Sequence, residues 1–377
     1  MRIPLPTRSY RKVSPESVVN CYVEAKPTDS KGDRALIRAP GITAITNTNL
    51  LGRGLAIFNG KLWAVVGEQL VVVDLLTTGL LESSTPIAGA GRVSMAATVD
   101  RLCVVSGGRA WLATPSNVVT EITDTDFRAP SVVDFVDNYL VFAEADSPRF
   151  FSSDLNAPET YDSLKFATAE FQPDNLLGLI ADHGQILLAG ERSMEIWQND
   201  GSTGFPFSRI SGGVIELGCA AGQSLAKLDN SVFWLASDLT VRRLAGVTPV
   251  RVSTHGIESI IATWGDVSGA YGMTYSFGGH LVYVLTLPGQ GTVALDVTTG
   301  EWHERRSLDS AYWKVVALAQ YAEQVYALHE DGRIGIMSDA TYTEFGDVQR
   351  VEFTTQPLYA EGRRVALRSV DLLVKSQ

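Results

Sequence analysis

One short pattern recurs along the whole chain: a polar pair that reads as a tight turn, followed at once by an apolar run. It appears as FNGKLWAVV from Phe58, TVDRLCVVSG from Thr98, FVDNYLVFA from Phe135 and IADHGQILLAG from Ile180. It returns as KLDNSVFWLAS from Lys227, SFGGHLVYVL from Ser276 and YAEQVYALHEDG from Tyr321. The turn centres fall near Gly60, Asp100, Asn138, Gly184, Asn230, Gly279 and Ala322, at spacings of 40, 38, 46, 46, 49 and 43 residues. A period in the forties made of short strands is the mark of a β-propeller, with one four-stranded blade per repeat.

The windows divide accordingly. Around the fourth turn the strands read LLGLIAD, QILLAGE, SMEIWQND and FSRISG; around the sixth they read AYGMTYS, HLVYVLTL, TVALDVT and EWHERRS. Seven blades fit, and six fit if one window is split differently. The runs LVVVD, LCVVSG, YLVFA, ILLAG and VFWLAS read as inner strands, being apolar enough for burial on both faces. Helical periodicity is confined to GIESIIATW, from Gly256. The expected fold class is therefore all-β, with a propeller over residues 51–347. Residues 1–50 supply an arm and strands, and residues 348–377 return beside them, the two flanks together building a small second β-domain. The strand pattern SVDLLVK stops at the chain end with nothing after it to pair with, so further chain is expected there.

Charge narrows the partners. The net charge is −11, which removes counterion release as a means of holding DNA phosphates tightly. An acidic wall past which DNA slides stays compatible. No apolar stretch approaches the roughly 18 residues of a membrane helix, so membrane insertion is not expected. MRIPLPTRSYRK does not read as a signal peptide. Cys21, Cys103 and Cys219 are odd in number and far apart, which favours buried reduced thiols and assembly in a cytoplasm.

Chemistry is poorly advertised. His183, His255, His280, His303 and His329 share no metal-ligand spacing, and His183 and His280 occupy hairpin slots used elsewhere by Asp or Gly. Asp124, Asp126, Glu191 and Glu195 are candidates for a glycosidase carboxylate pair, with solvated turns the commoner role for such residues. The Gly-rich stretches at 89–91 and 288–291 are too short to cradle a phosphate. Trp63, Trp111, Trp197 and Trp234 fall on predicted strands and read as core, and Trp302, in DVTTGEW, as a residue packed on a neighbouring sheet. No catalytic residue, cofactor site or metal site is expected.

Several stretches resemble the short-tailed-phage tail hub, or nozzle, proteins, also called packaged-DNA stabilisation proteins. The first is Asn20, Tyr22 and Glu24 in NCYVE, followed by APGI with Pro40 and Gly41. The second is GRVSMA, with Arg92 and Met95. A long block follows: DSLKFATAEFQPDNLLGLIADH with Pro173, GERSMEIWQN, then residues 205–236 with Cys219 and Trp234, and TPVRVSTHGIES. The similarity in order and spacing runs from about residue 17 to residue 260, and its hallmark residues read as turn, packing and interface positions.

The resemblance implies a non-enzymatic part of the virion tail, with no cofactor. Six copies would form a ring below the portal and its adaptor, retain the packaged genome, line part of the DNA conduit, and carry tail spikes or fibres and a needle or plug. The basic cluster Arg8, Tyr10, Arg11 and Lys12 is the candidate docking arm. A carbohydrate-binding or polysaccharide-degrading propeller of a phage tail is the alternative, and a cellular peptide-binding scaffold a third reading without a supporting motif.

Overall fold

The computed structural model describes residues 16–25, 34–75 and 81–355. Seven sheets are arranged radially as four-stranded blades, six of them made of four successive strands. Their first strands are Gly52–Phe58, Ser94–Ala97, Pro130–Val136, Leu176–Asp182, Ala226–Leu228, Tyr271–Phe277 and Val315–Tyr321. These strands pack against one another around the axis, and Val315–Tyr321 meets Gly52–Phe58 to close the ring. The only α-helix among the described residues is His255–Ala262, begun by Thr254, whose side chain accepts from the Ile257 N–H.

Turn chemistry explains the repeat. Six of the seven recurrent turns place both central residues at positive φ: Asn59-Gly60, Asp137-Asn138, His183-Gly184, Asp229-Asn230, Gly278-Gly279 and Ala322-Glu323. This is the type I′ geometry whose twist matches that of the flanking strands. In blade two the turn is held instead by Thr98, whose Oγ1 accepts from the Arg101 N–H at 2.9 Å. The continuous apolar runs prove to lie mainly on second strands, such as Leu102–Ser106, Gln185–Gly190 and Ser231–Leu235, rather than on the innermost ones. Second strands are sandwiched by neighbouring blades on both faces and paired on both edges, whereas first strands leave one edge open to the axis. Trp63 and Trp111 join the core between blades one and two, and Trp234 that between blades four and five; Trp197 packs edge-on against Phe150.

Closure revises the expected domain boundaries. The fourth strand of blade seven is Gly41–Asn47, from the N-terminal flank, paired antiparallel to Arg333–Ser338. Residues 41–47 therefore lie within the propeller, and Ile42 is fully buried in its core. Ser17–Val19 adds to blade six, parallel to Glu301–Glu304, and Glu352–Thr354 pairs antiparallel outside it. Among the described residues the flanks thus extend propeller sheets, apart from the two-stranded sheet Cys21–Ala25 with Arg34–Arg38, and no second β-domain is seen. The reason is edge energetics: a ring tied by a strand from its other end leaves fewer open ladders.

Candidate functional site

The family-like N-terminal residues converge on the outer rim of blade six. Asn20 sits at φ 54°, a left-handed conformation that Asn tolerates better than most residues. Its N–H donates to the Glu304 carbonyl, and its own carbonyl accepts from Ala39 N–H, both at 2.9 Å. Its side-chain Nδ2 donates to the carbonyls of Arg306 and Arg350, each at 2.8 Å, and Oδ1 accepts from the Arg306 N–H at 3.0 Å. One buried amide therefore holds together the N-terminal segment, the exit of blade six and the C-terminal return.

Tyr22 and Glu24 carry the seam outward. His280 is held between two carboxylates, Asp296 at 2.7 Å on Nδ1 and Glu24 at 3.0 Å on Nε2. It is thus a mostly buried strand residue rather than a solvated turn. The Tyr22 ring lies 4.5 Å from that of His280 and 6.4 Å from that of His303. Burial, then nearby Tyr275 and the carboxylates of Glu24 and Asp296, push the Tyr22 hydroxyl up to about 12. His303 is driven the other way, to about 3, by burial and by the positive charge of Arg305 and the neighbouring His280. Its charge is excluded from the rim.

The C-terminal crossing is tied from the other side. Arg38 donates to Gln349 Oε1 at 3.0 Å and to the Asp339 carbonyl at 3.1 Å, and its guanidinium stacks over Tyr342. Gln349 donates to the Pro40 carbonyl at 3.3 Å, and Gly41 leaves no room for a Cβ, which would stand 2.5 Å from the Thr341 carbonyl. Beneath lies the buried Arg305, stacked on Trp313 and donating to the Tyr275 hydroxyl at 3.2 Å. Glu344 accepts from Ser307 and Trp313 nearby, and burial raises its pKa. Sequence reasoning missed Arg38, Arg305, Arg306, Glu344 and Gln349, since each acts through a partner remote in the chain.

At the rim, Ser17 stands opposite Thr354 and Val19 opposite Glu352. The described chain therefore enters at Glu16 beside the point where it leaves at Thr355. The outermost strand there, Glu352–Thr354, is exposed, with the apolar Phe353 on it and Val351 just before it. The candidate docking residues Arg8, Tyr10, Arg11 and Lys12 lie outside the described residues.

The remaining signature residues are elsewhere. Arg92 and Met95 line a cavity on the propeller axis. Pro173 is exposed in the loop leading to blade four. Cys219 is buried, its Sγ donating to the Ala221 carbonyl at 3.0 Å, and shares a core cluster with Trp234. Asp124 accepts from the Asp126 and Tyr161 N–H groups, while Asp126 and Glu191 are exposed. Glu195 is buried and accepts from the Phe171 N–H at 2.8 Å and the Trp197 indole at 2.9 Å. A groove of about 680 Å³ beside the helix holds one carboxylate, Glu304, already paired with Arg306 at 2.7 Å. No group of His, Cys, Asp and Glu among the described residues could hold a metal ion.

The chain is a closed seven-bladed propeller whose distinctive residues serve packing and closure. The family model described as "Bacteriophage P22 Gp10, beta-propeller" matches residues 6–342, and the chain belongs to that family of phage packaged-DNA stabilisation proteins. It is thus a phage structural protein. No curated protein matches the chain. Among solved structures, the computationally designed Ika8 protein is 14% identical with a TM-score of 0.48, over 79% of this chain and 99% of that one. BamB from Moraxella catarrhalis is 12% identical with a TM-score of 0.47, over 85% and 99% respectively. A chain of the Mitotic Checkpoint Complex is 12% identical with a TM-score of 0.49, over 83% and 98%. At TM-scores this low, none of the three bears on what this chain does.

Proposed function

We propose that the protein is a tail hub, or nozzle, subunit of a short-tailed phage. It docks below the portal and its adaptor, forms a ring of six around the DNA path, helps retain the packaged genome and carries the spikes or fibres and the needle or plug. It assembles in the host cytoplasm and catalyses nothing. The observation that carries this reading is the gathering of both flanks at one point on the rim of blade six, on residues of the family signature. A propeller that closes its own ring needs no neighbour for its blades, so assembly contacts fall to what leaves that rim.

The axis of a single propeller is not the DNA path. Its cavity of about 240 Å³ is lined from five blades, whereas the major groove of a duplex alone is about 12 Å wide. The conduit therefore lies between copies, and the acidic balance keeps DNA friction along it low. The test uses DNA-filled heads made without this protein. Adding the full chain is expected to stop genome leakage and to give six copies per tail by mass. A variant lacking residues 1–16 is expected to stay folded and fail to dock. Sealing by that truncated chain would overturn the arm's role, and heads that leak with full chain bound would overturn the hub reading.

A further inference from the structure

Glu352–Thr354 is the outer edge of the six-stranded sheet of blade six, and the ladder beside it fixes which of its groups are free. Backbone groups of successive strand residues point to opposite edges. The Asn20 N–H donates to the Glu304 carbonyl, so residue 20, and with it Val18, faces Glu301–Glu304. Val19 therefore faces Glu352, its antiparallel partner, and the Arg350 carbonyl points the same way, to Asn20 Nδ2 at 2.8 Å. Val351 and Phe353 turn their N–H and C=O groups outward, where no described residue meets them. Both are exposed. So are Arg350 and Glu352 beside them, whose side chains have no ion-pair partner among the described residues.

An open edge of this kind is a template for another strand, and the charges on it select a second copy of the same edge. A two-fold antiparallel pairing centred on Glu352 sets glutamate against glutamate, and one centred on Arg350 sets arginine against arginine, both destabilising. Centring on Phe353 pairs no charges. Centring on Val351 sets Arg350 opposite Glu352 of the second copy twice over, with outward backbone groups opposite outward backbone groups. We infer that this edge is a homotypic docking strand, by which two copies of the free chain join antiparallel about Val351. A ladder this short gives a weak, reversible dimer, below the roughly 1,200 Å² of stable complexes. The two-fold turns the copies in opposite directions, so the contact shields the edge in the free chain and opens before copies align in a ring. The inference is independent of the hub reading.

Sedimentation equilibrium of the full chain over a dilution series, with hydrogen exchange at the Val351 and Phe353 amides, tests the pairing. A monomer–dimer equilibrium is expected, with both amides better protected at high concentration. Arg350→Glu and Glu352→Arg are each expected to weaken the dimer about tenfold or more, since two attractive crossings become repulsive. An equimolar mixture of the two variants is expected to restore it, because both crossings between them set a carboxylate against a cation. The substitutions spare the Asn20 seam, which uses the Arg350 carbonyl and not its side chain. A monomer at every concentration, or an oligomer other than a dimer, overturns the proposal. So does a dimer indifferent to either reversal, or a mixture that stays monomeric. Amides equally protected at every dilution overturn it too, since the edge would then be covered within one chain.

Discussion

Asn20 and Arg306 exchange two hydrogen bonds, Nδ2 donating to the Arg306 carbonyl at 2.8 Å and Oδ1 accepting its N–H at 3.0 Å. The side chain thereby imitates the paired bonds by which opposed residues meet in an antiparallel ladder. It does so across 286 residues of sequence. These two bonds act together with the backbone bonds of Asn20 to Glu304 and Ala39 and with its bond to the Arg350 carbonyl, in a dry setting that strengthens each.

Asn20→Ala is expected to cost about 2–4 kcal/mol, from buried partners left unsatisfied and from an alanine forced to positive φ. Asn20→Gly removes the second part and is expected to recover about 1 kcal/mol. Urea unfolding of both variants measures the split. Equal midpoints for Asn20→Ala and the unmutated protein would remove the residue from the seam's energetics.

Acid is expected to loosen the rim well above the pH at which carboxylates titrate. His303 is held near 3 in the fold against an ordinary 6.5, so as pH falls the unfolded chain takes up the proton first. Stability then declines from about pH 6.5 downward by up to about 1.4 kcal/mol per pH unit. His329, lowered chiefly by burial, acts in the same sense. His183, raised by Asp182 and Asn230, opposes them, since its contribution is present in acid and is lost as pH rises through its folded pKa. Urea midpoints between pH 7 and 5 are expected to fall less steeply in His303→Phe.

Gly222→Ala is expected to be among the most damaging small changes. A Cβ there would lie 1.7 Å from the Leu177 carbonyl oxygen, on the first strand of blade four, and neither backbone can yield without breaking the ring. A loss of about 3 kcal/mol or more, or failure to accumulate as soluble protein, is the expected outcome. Gly204→Ala, where nothing lies within 4 Å, serves as the control and is expected to stay within about 0.5 kcal/mol.

Ile42→Ala tests closure. The side chain is fully buried beside Tyr271, Val315 and Phe345, so its truncation is expected to cost about 2–5 kcal/mol. Hydrogen exchange is expected to quicken together in Gly41–Asn47 and Arg333–Ser338, while blades three and four keep their protection. Uniform loss of protection across all seven blades would instead mean that the propeller opens as one unit.

The chain's order by itself determined the all-β class, the blade repeat and the turns. Asn59-Gly60 and Asp229-Asn230 reach positive φ by local chemistry, and the apolar run after each turn finds a neighbour on either face whichever blade it belongs to. Signature positions were legible as residues, but their work was not. Nothing within a few residues of Asn20 shows that its amide meets Arg306 and Arg350, or that Glu24 meets His280. Blade seven's fourth strand is assigned to an outer domain by its place in the N-terminal flank, and only ring closure selects Arg333–Ser338 as the partner of GITAITN. Local turn geometry propagates along a sequence; a seam, a buried guanidinium and a closing strand exist only once segments hundreds of residues apart share one dry volume, where unmet hydrogen bonds and unpaired charges become costly enough to choose their partners.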